Sequence, residues 1–118
     1  MGADRRRTPR FRVYHPVRLH RLRPTQLVET LTKDLSFGGV RCMSTATFPI
    51  STELQLELVL FAGEEPLTLA GHTVWFQVVP YGEQYELGIA FDEVSAHHKR
   101  RLSIYLDTLS RQLAPSSV

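Results

Sequence analysis

Apolar and polar residues alternate through most of the chain, and the period changes only toward the C-terminus. The clearest alternation sets Leu54, Leu56, Leu58 and Leu60 against Gln55, Glu57 and Val59, a period of two that gives a strand one dry and one wet face. A rougher alternation at Val13, Val17, Leu19 and Leu22, interrupted by Pro16, predicts a first strand from Val13 to Leu22 that starts at a sheet edge. Arg23-Pro24-Thr25 predicts a turn, and Leu27 to Lys33 a short second strand that ends where Asp34 begins. Gly38-Gly39 is then expected to reverse or kink the backbone, because glycine reaches positive φ without a Cβ clash, before Val40 to Met43 resumes as a strand. Ala62 to Pro66 reads as a hairpin loop leading into a long strand from Leu67 to Val79, which Gly71 can bend. Trp75 and Phe76 fall on opposite faces of that strand, one toward the core and one toward the surface or a helix. Pro80-Tyr81-Gly82 turns the chain into a last strand on which Tyr85, Leu87, Ile89 and Phe91 alternate.

After Asp92 the spacing becomes helical. Ser95 is placed as an N-cap, and Leu102, Tyr105 or Leu106, Leu109 and Leu113 recur at three- and four-residue steps, a single apolar stripe that fades at Pro115. Such a stripe has to pack on something. The simplest arrangement is an all-β fold of about six antiparallel strands curled into a small barrel, with a C-terminal helix closing one face or mouth. The expected organisation is an arm over residues 1–10, a barrel over 11–94, a helix over 95–114 and a tail over 115–118. The arm holds almost no apolar side chains, contains Gly2 and Pro9, and is read as mobile, with order beginning near Phe11.

A chain of 118 residues fits one domain and can bury roughly two-thirds of its unfolded surface. Its single cysteine, Cys42, excludes an internal disulfide and has no CxxC or Cys/His company for a zinc site, which points to a reducing cytoplasm. The basic N-terminus is not followed by an apolar segment, and the longest apolar stretch, Leu58 to Ala62, is too short to span a bilayer, so no membrane insertion is expected. The net charge of +2 hides a segregation: residues 1–24 hold eight arginines and one acid, whereas residues 51–93 hold eight acids and no lysine or arginine. The basic end is suited to an anion, with binding that weakens as salt rises. The plainer alternative makes the arginines a solubilising tail and the acids a solvated sheet face.

Two short patterns give that charge a chemistry. Arg5-Arg6-Arg7-Thr8-Pro9-Arg10 contains RRxxxR, and Asp34-Leu35-Ser36-Phe37-Gly38-Gly39 contains DxSxxG. Guanidinium forks can grip a phosphate through parallel N–H donors, bind the O6 and N7 acceptors of guanine, or stack flat on a base. An ionised Asp34 can accept from guanine N–H donors, Ser36 can donate or accept, and Gly39 lets the main chain approach a ligand closely. Either pattern alone has an ordinary structural reading, an Asx or ST turn for the second and a solvated tail for the first. In this order, one before the first strand and one after the second, they would coincide by chance in well under about one chain in a hundred. A hydrolytic triad of Asp34, Ser36 and His72 is set aside, because no nucleophile-elbow pattern surrounds the serine. His97 and His98 are adjacent on a helix and cannot face one metal together.

The paired motifs, the apolar strand after Arg10, Val40 after the double glycine and the Leu87-Gly88-Ile89-Ala90-Phe91 strand together resemble the PilZ family of cyclic di-GMP receptor domains. The resemblance covers roughly residues 5–92. It implies a six-stranded antiparallel β-barrel with a C-terminal helix, and cyclic di-GMP as ligand, often bound as a stacked dimer. Carried over by motif position, phosphate and guanine contacts fall to Arg5, Arg6 and Arg10, guanine-edge contacts to Asp34 and Ser36, and the shape of the turn to Gly39. Arg7 occupies a variable position at which a contact is optional, and Asp4 can compete for an arginine when ligand is absent. The expectation is a bacterial, cytoplasmic, non-enzymatic receptor without a cofactor or metal, whose arm folds over cyclic di-GMP and which signals to a partner protein. Two alternatives stand beside it: a ligand-independent adaptor of the same fold in pilus or flagellar control, and a small basic barrel that binds single-stranded nucleic acid, for which an exposed aromatic platform is not evident.

Overall fold

Six strands and one helix follow each other in the order the periodicity predicts: β1 (Pro16–Leu22), β2 (Thr25–Leu35), β3 (Gly39–Ser44), β4 (Glu53–Leu58), β5 (Leu67–Val78), β6 (Tyr85–Phe91) and α1 (Ala96–Gln112). The structure, a computed structural model, describes residues 9–80 and 82–112. Arg5, Arg6, Arg7 and Asp4 of the arm, Tyr81 of the predicted turn, and Leu113 and Pro115 beyond the helix therefore lie outside the described residues. Every strand pairing is antiparallel, and the barrel closes in the order β1-β2-β3-β6-β5-β4. Closure leaves no sheet edge running the length of the molecule, which suits strands as apolar as these.

The alternating leucines of β4 behave as their period requires, with Leu54, Leu56 and Leu58 buried alongside Val17 and Leu19 of β1, Leu67 and Leu69 of β5, and Leu87 and Ile89 of β6. Helix α1 starts where Ser95 Oγ accepts the His98 N–H at 3.3 Å, the expected N-cap. Its stripe of Leu102, Tyr105, Leu106 and Leu109 is buried in the same cluster as the barrel core. Tyr105 also meets the edge of the Phe61 ring, with centroids 5.4 Å apart.

Three expectations about β1 to β3 are corrected. The first strand begins at Pro16 and not at Val13, because the preceding segment crosses beside the end of β2: Thr32 N–H donates to His15 O at 2.9 Å, and Thr32 Oγ1 donates to Val13 O at 2.5 Å while accepting the His15 N–H at 2.9 Å. The second strand does not stop before Asp34 but continues through Leu35, since Asp34 pairs with Arg41 and Leu35 with Val40. Neither Gly38 nor Gly39 takes a positive φ, so the hairpin between β2 and β3 is made without the conformation that predicted the glycines.

Trp75 and Phe76 do fall on opposite faces by register, Trp75 opposite Gly88 and Phe76 opposite Leu87. Neither belongs to the core, however; Trp75 lies against Gly88 on the outer face, and Phe76 is exposed. The bend in β5 is a register shift between Thr73 and Trp75 and is not at Gly71, whose missing Cβ instead allows the Ala90 carbonyl to come close.

Candidate functional site

The two sequence patterns meet through main-chain pairing. Phe11 bridges to Leu35 by two hydrogen bonds, Phe11 N–H to Leu35 O at 3.0 Å and Leu35 N–H to Phe11 O at 2.9 Å, and its ring is buried. That bridge sets Arg10 beside Asp34 and Ser36. On β2, the ladder to β3 pairs Thr32 with Cys42 and then Asp34 with Arg41, so Lys33 is an extra residue on one strand, a β-bulge. Leu35 then faces the core beside Val40 while Asp34 stands on the opposite face beside Arg41, and both are buried. Asp34 is 3% exposed, a burial that a carboxylate tolerates only with cationic or hydrogen-bonding partners.

Those partners form a chain of charges across three strands. Arg10 Nε lies 3.2 Å from Asp34 Oδ1, and Arg10 Nη1 donates to Ser36 Oγ at 3.2 Å. Arg41 Nη2 lies 2.8 Å from Asp34 Oδ2, and Arg41 Nη1 lies 3.8 Å from Glu86 Oε1. Lys33 Nζ donates to Glu86 Oε2 at 2.6 Å. Three cations (Arg10, Arg41, Lys33) thus face two carboxylates (Asp34, Glu86), an excess of one positive charge before the arm's other arginines are considered. Glu86 also raises its neighbour: burial first, and then the Glu86 charge, push the Cys42 thiol up to about 12.

Ser36 and the glycines do more for the hairpin than the motif alone conveys. Ser36 N–H donates to Gly39 O at 2.9 Å, and Ser36 Oγ accepts the Gly38 N–H at 3.2 Å and donates to Gly39 O at 3.3 Å. This is an ST turn, and the same hydroxyl receives Arg10. Gly39 sits where a Cβ would stand 2.4 Å from the Ile89 carbonyl oxygen of β6. Its service is to seat β3 against β6.

One outer row runs Asp34, Arg41, Gly88, Trp75, each the cross-strand partner of the next. The Trp75 indole covers Gly88, where a Cβ would come within 2.2 Å of Nε1. Arg41, Lys33, Glu86 and Trp75 are the site residues that sequence reasoning missed. Arg41 had a legible signal, because a hairpin closed at Ser36 and Gly39 pairs position 34 with position 41. Beside the turn, Phe37, Pro9 and Phe11 face Ser103, Leu106 and Asp107 of α1 across a groove of about 200 Å³. A wider cavity of about 600 Å³ on the β1-β4-β5 side, lined by His20, Arg23, Glu53, Gln55 and Asp92, contains none of the motif residues.

The remaining sequence candidates are not drawn in. His72 Nδ1 pairs with Asp92 Oδ1 at 2.6 Å and so is committed away from Ser36 and Asp34. Among the described residues no group of three or more His, Cys, Asp or Glu side chains is arranged to hold a metal ion, and no helix is long and apolar enough to cross a membrane.

Comparison with known proteins agrees with this architecture. The sequence profile of the PilZ domain matches residues 4–107. No curated protein matches. Among solved structures, the inhibitor of motility MotI/DgrA of Bacillus subtilis superposes with a TM-score of 0.73 at 17% identity, over 92% of this chain and 53% of that one. The PilZ domain of YcgR from Escherichia coli with c-di-GMP gives 0.70 at 18% identity, over 92% of this chain and 93% of that one. The MrkH–c-di-GMP complex of K. pneumonia gives 0.72 at 20% identity, over 90% of this chain and 52% of that one. The chain therefore spans about half the length of MotI/DgrA and MrkH, and at these identities the likeness is one of fold.

Proposed function

Because this chain belongs to the PilZ domain family, we propose that it is a non-enzymatic receptor for cyclic di-GMP, gripping the ligand between the arm at residues 5–10 and the hairpin that carries Asp34 and Ser36. Arg5, Arg6 and Arg10 take the phosphates and guanine acceptor edges, with Arg7 adjacent, while Asp34 and Ser36 meet guanine N–H donors. Trp75 adds an aromatic face in the same outer row, on which a base can stack. Gly39 contributes indirectly, by letting the hairpin seat on β6.

The observation that carries this reading is Arg10, the last residue of RRxxxR, which contacts both the acid and the hydroxyl of DxSxxG. The c-di-GMP held by the YcgR and MrkH structures of the same fold supports the choice of ligand. Closing the arm over the ligand costs conformational entropy, which the charge-assisted contacts have to exceed. The output is a changed surface at the hairpin and the neighbouring groove on α1, read by a partner protein in the cytoplasm.

Titration calorimetry tests the reading. Cyclic di-GMP is expected to bind the wild type, to bind Arg6→Ala and Asp34→Ala at least about tenfold more weakly, and to lose affinity as salt is raised. It is also expected to bind more tightly than a short single-stranded oligonucleotide. Silence of the wild type at millimolar cyclic di-GMP overturns the proposal.

A further inference from the structure

Asp34 is buried, but its two carboxylate oxygens are not equivalent. Oδ2 is held by Arg41 Nη2 at 2.8 Å. Oδ1 has the Arg10 guanidinium beside it at 3.2 Å, yet among the described residues it accepts no hydrogen bond of normal geometry. A buried carboxylate oxygen in that condition is an acceptor awaiting a donor. The two arginines also differ in what anchors them. Arg10 stands at the root of the arm with its side chain 42% exposed, whereas Arg41 projects from the outer face of β3, a strand of the closed barrel, and is bracketed by Asp34 on one side and Glu86 on the other. Glu86 is itself buried and secured by Lys33.

The geometry points to Arg41 as the positioning residue of the cyclic dinucleotide site, fixing the Asp34 carboxylate through Oδ2 so that Oδ1 is the acceptor presented to guanine. The inference rests on the receptor reading above and deepens it. When the arm engages ligand, Arg10 can leave Asp34 for a phosphate or a guanine edge, but Arg41 stays, because Asp34 and Glu86 hold its guanidinium from two sides. An acceptor fixed in this way favours guanine, whose N1–H and N2–H are donors, over adenine, whose N1 is an acceptor. Without Arg41 the carboxylate has lost its Oδ2 partner, and it can turn to solvent or toward Arg10, so guanine binding and guanine preference fall together.

The test compares calorimetric affinities for cyclic di-GMP and cyclic di-AMP across wild type, Arg41→Ala, Arg41→Lys, Asp34→Ala and the Asp34→Ala/Arg41→Ala double variant, with thermal melts to verify folding. Arg41→Ala is expected to weaken cyclic di-GMP by about tenfold or more and to shrink its preference over cyclic di-AMP. Because Arg41 acts through Asp34, adding Arg41→Ala to Asp34→Ala is expected to change affinity by less than about twofold. Arg41→Lys keeps the charge and loses the fork, so an intermediate loss is expected, and it serves as the test if Arg41→Ala does not fold. Folded Arg41 variants with wild-type affinity and preference overturn the inference, as do single losses that multiply in the double variant. Wild-type silence toward cyclic di-GMP is a separate result that removes the receptor reading and this inference with it; wild-type binding with an indifferent Arg41 removes the inference alone.

Discussion

Gly39 and Gly88 both stand where a Cβ has no room, but against neighbours of different stiffness. At Gly39 the obstacle is the Ile89 carbonyl, part of the β6 backbone, which can give way only if the β3–β6 ladder shifts. At Gly88 the obstacle is the edge of the Trp75 indole, a side chain on the outer face that can rotate away. Gly39→Ala is therefore expected to cost about 2 kcal/mol or more of stability and Gly88→Ala about 1 kcal/mol. Gly88→Ala is also expected to move the emission of the chain's one tryptophan toward that of a solvated indole, and Gly39→Ala to leave it nearer the wild type. Urea melts and emission spectra of the two variants check both halves. Equal stability losses, or an unmoved spectrum in Gly88→Ala, would count against this account of the outer row.

At the scale of elements, α1 owes its place to burial more than to its own electrostatics. Its first turns carry His97, His98, Lys99 and Arg100 and no acid, an arrangement that does not complement the positive end of a helix dipole. The Ser95 cap and the stripe of Leu102, Tyr105, Leu106 and Leu109 offset it. Leu102→Ala is expected to destabilise by about 3 kcal/mol, because it empties a fully buried site, and Ser95→Ala by about 1 kcal/mol. Chemical denaturation with matched m-values measures the difference, and a cap as costly as the core leucine would show that packing on the barrel is not what holds the helix. The bulge at Lys33 acts at the same scale: by inserting one residue it turns Leu35 to the core beside Val40 and sets Asp34 in the outer row beside Arg41.

Over the whole molecule, charges that lie far apart in the chain are brought side by side by barrel closure. Arg18 of β1 sits between Glu29 of β2 at 2.7 Å and Glu57 of β4 at 3.7 Å, so part of the acidic middle neutralises part of the basic end. Exposed pairs of this kind add little stability. A pH dependence of folding is expected instead from groups withdrawn from solvent. Burial holds the His15 imidazole, which contacts the Tyr105 hydroxyl, below its usual 6.5. The unfolded chain then binds the proton more readily, so this contribution is complete above pH 6.5 and is lost as pH falls toward the lowered folded value. Burial raises Tyr105 and, aided by Glu86, pushes Cys42 up to about 12 from 9.0, so the folded state keeps those protons longer and stability declines as pH rises from 9 toward 12. Melting temperature against pH is expected to fall on both sides of a plateau, and His15→Gln to flatten the decline just below pH 6.5 while leaving the alkaline side in place. An acid limb unchanged by that substitution would assign the loss to other groups.

The order of strands, the capped helix and its stripe, and the two motif segments were legible in the chain, because each is written in spacings of a few residues that local backbone geometry reads directly. What lay beyond that range was decided by the tertiary structure. The role of Gly39 as a seat on β6, the bulge that sets Asp34 beside Arg41, the companionship of Lys33, Arg41 and Glu86, and the placement of Trp75 over Gly88 all depend on which residues lie opposite one another. Those pairings are set by the register and closure of the barrel, and a single inserted residue at Lys33 changes which side chains share a face, so no local period could announce them.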